Sequence, residues 1–153
     1  MSIDQRLAEL GITLPTPAAP VASYVPAVLS GNLLHISGQI AFAEDGSLIT
    51  GRLGDTINLE RGQEAARRCG LMLLAQIKAA LGSLDRVSRI VKLGVFVNSA
   101  GDFTDQPKVA NGASDLMQDV FGDAGRHARS AVGVPTLPLG VAVEVDAIVE
   151  VRA

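Results

Sequence analysis

The side chains able to do chemistry in this sequence are few, and their spacing excludes several mechanisms at once. The two histidines, His35 and His127, lie in unrelated segments, and no His or Cys pair has the spacing of metal ligands, so no metal site is expected. A Ser-His-Asp hydrolase has no Gly-x-Ser-x-Gly turn to carry its nucleophile. Cys69, the single cysteine, cannot form an internal disulfide and falls on the apolar side of a predicted helix, where it reads as core. The predicted strands also carry polar groups, among them Ser37, Arg129 and Glu144. A guanidinium is a planar fork that can grip a carboxylate through two hydrogen bonds. A carboxyl group beside a water can assist proton movement. Read from the residues alone, Arg129 serves equally well as the cross-strand partner of Asp146 or Glu150. By the same reading Glu144 is a solvated strand residue, Tyr24 a core or interface residue, and Ser37 a partner for a backbone group.

The elements that must position these groups follow from periodicity and punctuation. Ser2 is placed to cap a short helix through Leu10, stopped by Gly11, and Pro15, Pro17 and Pro20 then force an extended connection. Residues 1–20 thus read as a helical and extended appendage to a domain covering 21–153. An apolar extended stretch from Val21 to Leu29 turns at Ser30-Gly31-Asn32 into a strand over Leu33 to Phe42, with a further short strand near Leu48 to Thr50. Asn58 or Thr56 begins a long helix to Leu81, closed by Gly82, with Ala66, Cys69, Leu73, Ile77 and Ala80 as its buried stripe. A strand over Val87 to Asn98, a helix over Gln106 to Phe121 and strands over Arg129 to Val134 and Val141 to Arg152 complete the chain. This order predicts an α+β fold, a mixed sheet with both long helices on one face.

Side chains alternate along a strand, so parity sorts them into two faces. In the last strand Val141, Val143, Val145, Ala147, Val149 and Val151 oppose Glu144, Asp146, Glu150 and Arg152. The same sorting gives Val91, Leu93, Val95 and Val97 as one set, Ser130, Val132 and Val134 as another, and Leu34, Ile36, Gly38, Ile40 and Phe42 as a third. Ser37, Arg129, Ala131 and Glu144 then share the remaining face. That face is too apolar for bare solvent and too polar for a monomer interior, which predicts a homo-oligomer with polar groups converging where subunits meet.

Composition narrows the class. A formal charge of −3 with one Tyr, four Phe and no Trp argues against a nucleic-acid surface. No apolar run is long enough to span a membrane, and the charged N-terminus does not read as a signal peptide, so a cytoplasmic location is expected.

The order and spacing of several short motifs resemble the RidA (YjgF) family. They are Ser23-Tyr24-Val25-Pro26, Ile36-Ser37-Gly38-Gln39-Ile40, Val95-Phe96-Val97-Asn98 with Asp102-Phe103, Ala128-Arg129-Ser130-Ala131-Val132, and Leu137-Pro138 followed by Val143-Glu144-Val145-Asp146-Ala147-Ile148. The resemblance implies a chorismate-mutase-like fold in a homotrimer whose three sheets form a central barrel with helices outside. It also implies hydrolysis of reactive 2-imino or enamine acids such as 2-aminoacrylate to 2-keto acids and ammonia, in clefts between subunits, with no metal or organic cofactor. Carried over residue by residue, it makes Arg129 the substrate-carboxylate ligand, Glu144 the water-associated catalytic group, and Tyr24 and Ser37 the cleft lining. The backbone around Ala131 is implied as a substrate-binding contact. Ala131 stands where many members have cysteine, and Gly101 where an asparagine is common. The N-terminal extension and Asn111-Gly112-Ala113-Ser114-Asp115 resemble a longer branch of the family. Other readings of the same cleft are a metabolite-binding regulatory trimer and, disfavoured by charge, an endoribonuclease.

Overall fold

The computed structural model of the chain describes residues 1–17, 19–20 and 22–153. Its N-terminal helix α1 (Ile3–Glu9) starts at Ser2, whose hydroxyl accepts from the Gln5 N–H while the Gln5 side chain accepts from the Ser2 N–H. This reciprocal pair satisfies two of the helix's orphan donors. Leu7 of α1 is buried with the main core, and the Arg6 Nε–H donates to the Asp119 carbonyl at 2.9 Å, which ties the segment to the rest of the chain.

The long helices begin and end much as their sequences predict. Asn58 caps α2 (Leu59–Leu81) by accepting from the Arg61 N–H, and Gly82 ends it at φ +83°, a conformation that costs a glycine little. Cys69, Leu73 and Ile77 are fully buried, but Ala80 is exposed and Leu81 takes its place. Helix α3 (Gln106–Phe121) buries Val109, Ala113, Leu116, Met117 and Val120. The two helices approach closely because Gly112 and Gly70 lack side chains at the contact. A Cβ on Gly112 would run into the Gln63 carbonyl, and one on Gly70 would lie 2.9 Å from Leu116 Cδ2.

Both helices cover one face of a five-stranded sheet composed of β1 (Ala27–Ser30), β2 (Leu33–Ile40), β3 (Val87–Asn98), β4 (Ala128–Val134) and β5 (Val143–Val151). Spatial order is β1-β2-β5-β3-β4, with β3 and β4 parallel and every other pair antiparallel. The expected stretch from Val21 to Leu29 forms a strand only from Ala27, residues 23–24 are bent, and Val21 lies outside the described residues. Near Leu48 to Thr50 there are two isolated bridges, Phe42 with Leu48 and Thr50 with Val141. Among the described residues no helix is long and apolar enough to cross a membrane.

Parity predicts the faces correctly for β5 and fails in parts of the other strands. A bulge between Ile36 and Gln39 adds a residue to β2, so Leu34 and Ile36 face the helices and then Gln39 and Ala41 do, in place of Ile40 and Phe42. A second irregularity between Ile90 and Lys92 brings Ile90 into the core in place of Val91. In β4 the expected faces are exchanged. Arg129 and Ala131 stand beside Leu93 and Val95, both buried under the helices, while Val132 stands beside Phe96 and is 45 % exposed.

Candidate functional site

The site residues expected from the sequence fall at two places among the described residues. The first is a cleft of about 420 Å³ whose lining includes Tyr24, Pro26, Ser37, Gly38, Leu139 and Glu144. The β2 bulge builds it. Both the Ser37 N–H and its hydroxyl donate to the Pro26 carbonyl, at 2.9 and 3.1 Å. From the core side, the buried Gln39 amide donates to the Ser37 carbonyl at 3.0 Å, and Gln76 Nε2 of α2 donates to Gln39 Oε1 at 3.3 Å. The bulge is thereby held from both sides of the sheet, and Gly38 is left beneath the Glu144 side chain. An added Cβ there would lie 2.5 Å from Glu144 Oε2.

Glu144 is half-buried, and its carboxyl pKa is raised first by loss of water and then by the neighbouring Asp146. Such a group holds its proton to higher pH than a free glutamate, which suits it to exchange protons with a bound ligand or water. The connection bearing Leu139 is tied down by Arg52, which donates to the Pro135 carbonyl at 2.8 Å, and by Asn98, which donates to the Val141 carbonyl at 3.1 Å. Leu139 itself adopts φ +59° and is 71 % exposed at the cleft. A non-glycine residue in that region is uncommon.

Arg129 forms the second place. Its guanidinium reaches α3, where Nη1 donates to Asn111 Oδ1 at 2.8 Å and to Ser114 Oγ at 3.1 Å. Neither Asp146 nor Glu150 pairs with it; both lie on the other face of the sheet. His127 joins this group, with Nε2 2.9 Å from Ser114 Oγ and Nδ1 2.6 Å from the Gly125 carbonyl.

The expectation that Ser37, Arg129, Ala131 and Glu144 share one face is therefore corrected. Glu144, with Tyr24 and Ser37 in its cleft, lies on the face away from the helices, whereas Arg129 and Ala131 lie on the helix side of the edge strand. Two strand spacings, roughly 10 Å, also separate β5 from β4. Within one protomer Arg129 and Glu144 do not converge. The sequence marks Asn111 to Asp115 as a stretch that serves a close packing contact or lines a cleft, and His127 as a cationic neighbour of Arg129, without pairing any of them with Arg129. The Asn-Gly pair, unfavourable in the middle of a helix, makes sense once Asn111 meets Arg129 and Gly112 meets Gln63.

An α+β chain with one five-stranded sheet, two long helices on one face and an open opposite face defines the chorismate-mutase-like class. Residues 4–151 match the YjgF/chorismate mutase-like family, whose description also carries an endoribonuclease label. The chain belongs to the YjgF/RidA family. It is 57% identical over 148 residues to Protein TCP17 of Trypanosoma cruzi, covering 96% of this chain and 92% of that relative. It is 28% identical to a 2-iminobutanoate/2-iminopropanoate deaminase of Dermatophagoides farinae, covering 92% of this chain and 95% of the relative. Among solved structures, an Agrobacterium tumefaciens protein at 46% identity superposes with a TM-score of 0.90 over 98% of this chain and 92% of its own. RidA from a Psychrobacter species, at 28% identity, gives 0.60 over 89% and 94%.

Proposed function

We propose that this chain hydrolyses 2-imino and enamine acids to 2-keto acids and ammonia, in clefts that pair Arg129 of one protomer with Tyr24, Ser37 and Glu144 of its neighbour in a homotrimer. The observation that carries this reading is the half-buried Glu144 carboxyl, with its raised pKa, in a cleft shared with Tyr24 and Ser37. The deaminase named among the relatives supports the choice of substrate class. Exposed Val28 and Val132 on the uncovered sheet face, and Leu29 on the edge strand, supply apolar surface for association.

Because Arg129 and Glu144 lie on opposite faces, the reaction in this scheme depends on association. Arg129 holds the substrate carboxylate through its guanidinium edge. Water adds to the electrophilic imine carbon, with Glu144 assisting proton transfer to the departing ammonia. The carbon–nitrogen bond breaks as the carbonyl forms, and oxidation state is unchanged. Neither a nucleophilic side chain nor a thiol at position 131 enters the scheme.

The test is release of ammonia and 2-oxobutanoate from 2-iminobutanoate generated in situ, comparing wild type with Arg129→Ala and Glu144→Gln. Loss of turnover in both variants is expected. Wild-type turnover no faster than the uncatalysed rate, with saturable binding of the keto acid retained, would replace catalysis with metabolite sensing.

A further inference from the structure

With His127 neutral, the hydrogen bonds around Arg129 form a directed chain. Only an N–H can face the Gly125 carbonyl, so Nδ1 of His127 carries the ring proton and Nε2 of the neutral ring is an acceptor. Ser114 must then give its hydroxyl hydrogen to Nε2, which turns an oxygen lone pair towards Arg129 Nη1. Asn111 accepts the other hydrogen of the same nitrogen. Burial and the nearby Arg129 charge both hold the His127 pKa below its ordinary value, in keeping with a neutral ring.

One guanidinium nitrogen is thus fully used. Nη1 is the nitrogen on the Cδ side of the group, so the opposite edge, Nε with Nη2, keeps two parallel N–H groups. Neither makes a hydrogen bond among the described residues. That edge is the one that matches both oxygens of a carboxylate. Ser114 is only 6 % exposed, so its oxygen is a fixed point rather than a mobile surface hydroxyl.

We propose that Asn111, Ser114 and His127 are positioning residues that hold Arg129 by Nη1 and present its Nε–Nη2 edge to a substrate carboxylate side-on. This rests on the reading of Arg129 as the carboxylate-binding group. The brace acts before chemistry, by sparing the ligand the ordering of a long side chain, so it alters affinity and leaves the bond-breaking step alone. It also accounts for an asparagine and a serine three residues apart on α3, a spacing that places both on the side facing β4.

The experiment measures dissociation constants for 2-oxobutanoate by calorimetry, with KM and kcat for 2-iminobutanoate, in wild type, Asn111→Ala, Ser114→Ala, Ser114→Thr, His127→Ala and Arg129→Ala. Asn111 is exposed on its helix, so its alanine variant retains the fold; thermal midpoints check the others. Expected are rises of about tenfold in Kd and KM for Asn111→Ala and Ser114→Ala, the equivalent of one charge-assisted hydrogen bond. His127→Ala should give a smaller rise, and Ser114→Thr, which keeps the hydroxyl, should restore wild-type affinity. In each of these four, kcat should stay within about twofold of wild type. Unchanged Kd in Asn111→Ala and Ser114→Ala, with Arg129→Ala weakened, would overturn the brace alone. Unchanged Kd in Arg129→Ala, or no saturable binding by wild type, would overturn the carboxylate reading and the brace together.

Discussion

Gly38→Ala separates the site's geometry from the stability of the fold. The backbone at Gly38 lies outside the left-handed region, so alanine can adopt it without strain. What the new methyl meets is Glu144, with Oε2 at 2.5 Å, Cδ at 2.8 Å and Cγ at 3.0 Å. Ordinary contact between such atoms is about 3.5 Å, so the carboxylate must move by roughly 1 Å. The side chain is flexible and half-exposed at its tip, which lets it swing away cheaply; the loss in stability should stay below about 1 kcal/mol. Catalysis is less forgiving, because a misplacement of about 1 Å can lower a rate on the order of 100-fold. Steady-state deamination kinetics and thermal unfolding should therefore diverge, with kcat/KM down between about 10- and 100-fold and the thermal midpoint nearly unchanged. A variant with wild-type kcat/KM would show that the placement of Glu144 over the bulge has no part in the reaction.

Other consequences follow from the same contacts. Glu144 has a raised pKa in the folded state, so its contribution to stability is complete below the unfolded value of about 4.5 and is lost as pH rises through the folded value. Glu144→Gln should accordingly raise the thermal midpoint relative to wild type at neutral pH, and that advantage should vanish in acid. Gly112→Ala gains about 1 kcal/mol of helix propensity but drives a methyl into the Gln63 carbonyl. Chemical denaturation should show a net loss of about 1–3 kcal/mol, as in other overpacked contacts. Cys69 is buried and donates to the Val143 carbonyl, and loss of water pushes its thiol pKa well up. Thiol reagents should label it only after unfolding, as mass spectrometry of the native and denatured protein can establish.

The helices were legible in the sequence because their signals are local. A cap such as Asn58, a stop such as Gly82 and a three-to-four spacing of apolar residues depend on neighbours a turn away. β5 was legible because its alternation is unbroken over nine residues. The faces of β2 were not, since a single extra residue between Ile36 and Gln39 reverses every side chain beyond it. Nothing local distinguishes that bulge from continued strand. β4 misled for another reason: it pairs in parallel at the sheet edge, so Val132 and Val134 need not face the helices, and Ala131 and Gly133 are small enough to lie under them. Parity placed Ser37 and Glu144 on one face together with Arg129 and Ala131, and Tyr24 joined them only through the family resemblance; of these, Tyr24, Ser37 and Glu144 share a cleft. The Asn-Gly pair at Asn111 and the histidine beside Arg129 stood out in the sequence, but not that they meet at the Arg129 guanidinium, because a helix face and a connection far apart in the chain come together only in the fold.

The central claim, that Arg129 and Glu144 act on one ligand only across a subunit boundary, has a direct measurement. Arg129→Ala and Glu144→Gln proteins, each inactive alone, are unfolded together in equal amounts, refolded and assayed. If each cleft of the proposed trimer draws Arg129 from one protomer and Glu144 from the next, random mixing leaves both intact in about one cleft of four. Recovery of about a quarter of wild-type activity is predicted. No recovery, with mixed trimers demonstrated by mass spectrometry, would contradict the account.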